Sequence, residues 1–331
     1  MIPLLASVVA GMVPMVTFLC VIWWLDRYDR EPFWLVAAVF TWGAIFAAGG
    51  SYITNSVGQL ALSMWFSGPE SAEWLTVMFL APIIEEPLKA AILIVVALTP
   101  WFDNTTDGFV YGAAAGLGFA MSENIMYFNR AAETSVDFWL LTVIVRTATS
   151  GLMHAMATSI VGAALGWAKT RTIDIQIVAL IMGGATAVTI HTIWNGLIVI
   201  GGASGVSLFW IDVLIFTAEF IMIFGIFMMC LRGEHKMIQR ELLDEARGGV
   251  LPPQHVAILS SVAKRNRTGW CPPGVSQQDY IDVATKLAFR RMQCRGRGRR
   301  QKYYQEQARA LRHRLRAMLG TQPLRPDEIS R

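Results

Sequence analysis

Ionisable and amide side chains interrupt four long apolar stretches of this sequence, at places where charge is costly. The groups combine carboxylates, imidazoles, an ammonium and amides, and they are Glu85, Glu86, Lys89, Glu123, Asn124, His154, His191 and Asn195. A charge inside hydrocarbon costs about 3 kcal/mol on insertion scales, so such groups are functional candidates by default. The set therefore predicts a polar site inside a membrane protein.

Carboxylates and imidazoles around one pocket suit hydrolysis. Glu85 is the predicted general base that takes a proton from water, and Glu86 assists it or supplies the proton. His191 and Asn195 are four residues apart, so they project from one helical face. Both are predicted to bind the oxyanion of a tetrahedral intermediate or to share in metal ligation. Glu123 and His154 complete the water or metal site.

The same residue types are good zinc ligands, which leaves a second kind of hydrolysis open. Glu123, His154 and His191 are the predicted ligands, and a bound Zn²⁺ would itself activate water. The His-Glu-x-x-His motif of common zinc proteases is absent from the sequence. Metal-dependent and metal-free chemistry both remain open, and we favour Zn²⁺ slightly.

The composition indicates where these groups lie. The chain is 54% apolar and 16% charged, with a mean hydropathy of +0.45, which argues against a disordered chain, a disulfide-rich module or a simple soluble enzyme. The predicted fold is all-α, a polytopic transmembrane bundle of seven spans, or eight if one span escapes detection. The predicted spans are residues 3–25, 33–56, 74–100, 107–128, 138–168, 174–201 and 206–231.

Charge divides the chain into two predicted domains. Residues 1–231 are predicted to form an acidic, apolar transmembrane body, whereas residues 232–331 carry 21 Lys and Arg against 9 Asp and Glu. The short loops 26–32 and 169–173 are also basic. Basic loops face the cytoplasm, so we expect a cytoplasmic C-terminal tail and an N-terminus on the outer side of the membrane. The four cysteines are expected to be free thiols.

The tail is predicted to form helices over residues 234–247, 276–296 and 300–319. Its strongest basic run covers residues 290–300, and anionic lipid attracts such a run by about 1 kcal/mol per basic residue. A protein partner is the second interpretation of this surface. Specific nucleic-acid binding is not expected, because only Tyr303 and Tyr304 lie next to the run.

Spacing within the spans predicts local contacts. Glu85 and Lys89 are expected to form an i,i+4 pair that leaves Glu86 turned toward another neighbour. Arg146 is expected to pair with Asp212 or Glu219. Glycines four residues apart, at 112 and 116 and at 162 and 166, are expected to allow close helix packing.

The ordered set Glu85-Glu86-x-x-Lys89, Phe119-x-x-x-Glu123-Asn124, His154 and His191-x-x-x-Asn195 closely resembles the PrsW family of bacterial intramembrane proteases, relatives of the CAAX prenyl endopeptidases. The resemblance covers residues 74–200. It implies a polytopic protein of the bacterial plasma membrane that cleaves membrane-anchored substrates, with the first, outer-side cut of an anti-sigma factor as the family's inferred role. Glu123 stands where the prenyl endopeptidases carry a histidine, so their catalytic pairing does not transfer unchanged.

Two other functions use the same residues differently. An ion- or proton-coupled transporter would use the buried groups as a pathway and give no cleavage products. A non-catalytic membrane scaffold would gather partners with its basic tail and tolerate changes of the buried Glu and His residues.

Overall fold

A computed structural model describes residues 2–66, 69–204, 208–295 and 301–320. All regular structure in these ranges is helical. The helices in chain order are α1 (Ile2–Leu25), α2 (Phe33–Thr41), α3 (Ala48–Trp65), α4 (Pro69–Leu75), α5 (Ala81–Ala97), α6 (Thr105–Ala132), α7 (Val136–Ala148), α8 (Ser150–Ala168), α9 (Ile173–Ser204), α10 (Leu208–Arg247), α11 (Pro253–Leu259), α12 (Val262–Arg265), α13 (Gln277–Cys294) and α14 (Gln301–Leu319). Two π-helical segments, Trp42–Ala47 and Thr76–Leu80, continue α2 into α3 and α4 into α5.

The chain divides into two compact units. The N-terminal unit comprises Met1–Leu25, Glu31–Lys169 and Asp174–Met228, and the C-terminal unit comprises Asp26–Arg30, Thr170–Ile173 and Met229–Arg331. The functional division at residue 231 remains a prediction.

Five helical stretches among the described residues are long and apolar enough to cross a membrane. They are Pro3–Leu25, Phe33–Trp65, Val136–Ala168, Ile173–Val199 and Val213–Arg247. The all-helical fold and the presence of membrane-spanning helices are thereby confirmed, while the count of seven or eight spans remains a prediction. The predicted spans at 74–100 and 107–128 lie outside this group. The first carries Glu85, Glu86 and Lys89 close together, and the second is rich in glycine and alanine.

Helices α6 and α8 pack with their backbones in contact. A Cβ atom added to Gly112 would lie 2.4 Å from the carbonyl oxygen of Thr158, and one added to Gly116 would lie 2.2 Å from that of His154. Side chains larger than hydrogen therefore do not fit at these positions. The expected close packing of Gly112 and Gly116 is confirmed, and it fixes α8 against α6 where both carry site residues.

The C-terminal unit has an ordinary apolar core. Its fully buried side chains include Leu242, Leu259, Tyr280, Leu287 and Phe289. Two of the expected tail helices correspond to α13 and α14, whereas the expected helix at 234–247 is the end of the continuous 40-residue α10. The short helices α11 and α12 were not predicted.

Ion pairs at the edge of this core use part of the basic run. Arg291 binds Glu241 at 3.1 Å and also pairs with Glu245, while Arg295 binds Asp244 at 3.0 Å. These two arginines are therefore engaged within the unit. The run's residues 296–300 lie outside the described residues, and lipid binding remains a prediction.

Candidate active site

Five helices of the N-terminal unit bring the predicted groups together. Helix α5 supplies the paired glutamates and a lysine, and α6, α7, α8 and α9 supply the rest. The residues of this cluster are Glu85, Glu86, Lys89, Glu123, Asn124, Arg146, His154 and His191. All are buried or nearly so, although Glu123 keeps 19% of its side chain exposed and Arg146 keeps 14%.

Lys89 is fully buried and bridges two partners. Its Nζ donates to Glu86 Oε1 at 2.6 Å and to His154 Nδ1 at 2.9 Å. It also lies 4.4 Å from the centre of the Phe119 ring. The predicted Glu85–Lys89 pair is wrong. Lysine reaches residues three or four positions away equally well, and His154 lies on the side that favours Glu86.

Donor chemistry fixes the tautomer of His154. Because an ammonium only donates, Nδ1 must accept from Lys89, and Nε2–H then donates to Glu123 Oε2 at 2.9 Å. The same Glu123 oxygen accepts from Arg146 Nη2 at 2.8 Å. Arg146 also donates to Asn124 Oδ1 at 3.0 Å and stacks on the Tyr127 ring.

The expected partner of Arg146 is therefore corrected. Arg146 binds Glu123 of the neighbouring helix α6 rather than Glu219 of α10. The side chain of Asp212, the other expected partner, lies outside the described residues. A pair between α6 and α7 is local in sequence, since the two helices follow one another through a short turn.

His191 repeats this arrangement on α9. Its Nδ1–H donates to Glu86 Oε1 at 2.8 Å, so Nε2 carries a free lone pair. That nitrogen lies 3.9 Å from Glu85 Oε2. The Glu85 oxygen is buried and has no hydrogen-bond partner, whereas Glu85 Oε1 accepts from Asn55 Nδ2 of α3 at 3.1 Å.

Asn195 binds a backbone carbonyl group rather than a side chain of the cluster. Its Nδ2 donates at 2.7 Å to the carbonyl oxygen of Val77, in the π-helical segment before α5. Pro82, at the start of α5, has no N–H to donate into that segment. Asn195 therefore ties α9 to the irregular entry of the helix that carries the two glutamates.

Three of the buried groups could hold a metal ion together. One ligand atom from each of Glu85, His154 and His191 lies within 4.8 Å of the other two. Ligand bonds to zinc are about 2.0–2.2 Å, so atoms around one ion lie up to about 4 Å apart. Small side-chain movements would close this group on an ion. Glu123, which we expected among the ligands, is not in this group of three and instead accepts a hydrogen bond from His154 Nε2.

The donor set fits a divalent cation. The orphaned oxygen of Glu85 is a buried acceptor that needs a partner, and two imidazoles and a carboxylate are a common zinc set. Each histidine has its other ring nitrogen bonded to a glutamate, as metal-binding histidines usually do. With His154 Nε2–H bonded to Glu123, the nitrogen left for a metal is Nδ1, so Lys89 Nζ, which donates to Nδ1 at 2.9 Å, must move aside when the ion binds.

The sequence did not reveal Asn55 as a part of the site. An amide in the stretch Thr-Asn-Ser near the end of a predicted span carries no charge and belongs to no motif. Only the packing of α3 against α5 brings it to Glu85. Its one available signal is that it is polar within a membrane-length helix.

The chain is similar to proteins of a recognised family. A family model described as PrsW family intramembrane metalloprotease matches residues 31–227, which contain every residue of the cluster. The chain is 29% identical over 170 residues to Protease PrsW of Oceanobacillus iheyensis, covering 51% of this chain and 72% of that protein. It is 32% identical over 166 residues to Protease PrsW of Bacillus subtilis, covering 50% and 69%. No solved structure matches the chain.

Proposed function

Since the chain belongs to the PrsW family of intramembrane metalloproteases, we propose that Glu85, His154 and His191 hold its catalytic metal ion. The protein is an integral membrane peptidase that acts on membrane-protein substrates. We also propose the identity of the metal, the class of substrate and the orientation of the chain in the membrane.

One observation carries the assignment. Glu85 Oε2 is buried without a partner and faces the free Nε2 of His191 at 3.9 Å, within a group of three potential ligands. A buried acceptor opposite a lone pair is unfavourable unless something positive lies between them. A cation shared by Glu85, His154 and His191 supplies that charge.

Zn²⁺ is the metal that these ligand types favour. When bound, it would polarise the scissile carbonyl and lower the pKa of a bound water. The remaining residues orient the ligands. Glu86 accepts from His191 Nδ1–H and Glu123 accepts from His154 Nε2–H, so each carboxylate holds one ring in position.

The metal-free version of the reaction assigns other roles to the same residues. Glu85 would take a proton from water at its orphaned Oε2, with Glu86 beside it. His191 and Asn195 would bind the oxyanion. The contact between Asn195 and Val77 favours an anchoring role for that amide, which supports the metal version.

We propose a single-span membrane protein, such as an anti-sigma factor, as the substrate. The support is the resemblance of the motifs, together with a site buried among membrane-length helices. We further propose residence in the bacterial plasma membrane with a cytoplasmic tail that contacts anionic lipid. Reporters fused after Arg331 and within residues 129–137 test the orientation, which is overturned if the first reports the outside.

The deciding experiment combines metal content with cleavage. Full-length protein in liposomes is assayed on a single-span reporter, and the metal in the active preparation is measured. We expect about one metal per chain and loss of cleavage on chelation. Glu85→Gln should lose the metal and at least about 10³-fold in rate, which corresponds to about 4 kcal/mol.

Glu73→Gln is the matched control, because Glu73 is an exposed glutamate of α4. It should retain both metal and cleavage. An active, metal-free and chelator-resistant preparation would overturn the metal assignment. Near-normal cleavage by Glu85→Gln would overturn the site itself.

A further inference from the structure

The three site glutamates differ in what balances their charge. Glu86 is paired with Lys89 at 2.6 Å, and Glu123 is paired with Arg146 at 2.8 Å. Glu85 instead accepts from a neutral amide, that of Asn55, at 3.1 Å. A neutral donor fixes a carboxylate without cancelling its charge. Glu85 is therefore the carboxylate of the three whose charge is left for a ligand.

The contact also sets the direction of the carboxylate. A glutamate side chain has three rotatable bonds, so an unanchored carboxylate samples several orientations. With Oε1 held by Asn55, the other oxygen is left facing His191 Nε2 at 3.9 Å. An ionised carboxylate only accepts, so the Asn55 amide must present its NH₂ group to Glu85.

We propose that Asn55 is a positioning residue for Glu85: it holds Oε1, so that Oε2 would be available to bind the metal. The inference rests on the proposed metal site and adds α3 to the elements that build it. Asn55 does not touch the reacting atoms. Its effect reaches the reaction through the affinity of Glu85 for the ion.

Metal affinity is the quantity that tests this role. Full-length protein in detergent is stripped of metal and titrated with Zn²⁺ against a chromogenic chelator. Asn55→Leu keeps the branching at Cγ and removes the donor, so we expect Zn²⁺ binding to weaken by about 10- to 100-fold. Cleavage by this variant should recover at saturating Zn²⁺. Asn55→Gln keeps an amide donor and should recover part of the affinity.

The neighbouring residue offers a matched control. Ser56 is exposed and its hydroxyl bonds within its own helix to the Tyr52 carbonyl, so Ser56→Ala should bind Zn²⁺ as the wild type does. If Asn55→Leu does not fold, Asn55→Ala carries the same expectation. A merely structural role would lower the folded fraction and leave the affinity of the folded protein unchanged.

The possible failures are distinguishable. If the wild type and Asn55→Leu bind Zn²⁺ equally while Glu85→Gln does not bind, the role of Asn55 is overturned and the metal site stands. If the wild type itself does not bind Zn²⁺, the proposed metal site is overturned and the inference falls with it.

Discussion

The two units of this chain place charge and apolar surface in opposite positions. In the N-terminal unit, Trp65 is 86% exposed while Lys89 is 0% exposed. In the C-terminal unit, Leu287 and Phe289 are buried and Lys286 is exposed. The buried Glu241 and Glu245 of this unit pair with Arg291, which stays partly exposed. Apolar side chains on the first unit lose nothing by facing lipid, so their exclusion from solvent does not organise its interior.

This difference bears on why the N-terminal unit buries charged side chains. A water-soluble core buries apolar groups because water excludes them, and the few charges it buries are paired. A membrane unit gains no comparable stability by burying Glu86, Lys89 and Glu123, since each must be desolvated and paired. We infer that these groups are kept in the interior for chemistry, and that their pairs matter more to stability than pairs at the edge of the C-terminal core.

The largest expected effect comes from breaking the fully buried pair. Lys89→Met leaves Glu86 and His154 without their shared donor. We expect a loss of about 3–5 kcal/mol in the free energy of unfolding, because one buried charge remains uncompensated. Unfolding titrations in mixed micelles measure it. The double variant Glu86→Gln with Lys89→Met should regain much of the loss, and an unchanged single variant would contradict the buried pairing.

A smaller effect is expected at the edge of the C-terminal core. Glu245 is buried, whereas the side chains of its partners Arg291 and Arg312 are 20% and 26% exposed. Glu245→Gln weakens hydrogen bonds to charged groups, which contribute about 1.5–3 kcal/mol. Hydrogen exchange of the α13 and α14 amides in the full-length protein reports this loss. The exposed Glu306→Gln serves as a control, and equal exchange in both variants would argue against the network.

The smallest effect is expected for an exposed pair. Arg314 and Asp279 lie 4.0 Å apart with more than half of each side chain exposed. Arg314→Ala should change the same hydrogen-exchange protection by less than about 1 kcal/mol. A loss as large as that of Glu245→Gln would show that burial does not rank these pairs, and the predicted order of effects would be wrong.

The sequence predicted well where a charge interrupts apolar residues. Glu85, Glu86, Glu123, His154 and His191 stand out for that reason, and the structure brings them into one cluster. Their pairing was harder to predict. Lys89 reaches either glutamate on its own helix, and only the position of α8 decides between them.

Contacts of neutral side chains and contacts that depend on tertiary packing could not be predicted from the sequence. Asn55 carries no charge, and its contact with Glu85 spans 30 residues. The partner of Arg146 depends on how α7 turns back against α6, which hydropathy does not encode. The continuity of α10 from Leu208 to Arg247 was also missed, because the change from apolar to polar composition suggested an end to the helix.

The glycine contacts between α6 and α8 have a mechanical consequence. With Gly112 and Gly116 against the backbone of α8, neither helix can rotate or slide without a collision. The backbones that carry Glu123 and His154 are therefore held in close contact. The same kind of contact joins α6 to the π-helical segment that leads into α3, since a Cβ atom added to Gly43 would lie 2.0 Å from the carbonyl oxygen of Ala115. Helix α6 therefore holds two neighbours in place, the helix that carries His154 and the helix that carries Asn55.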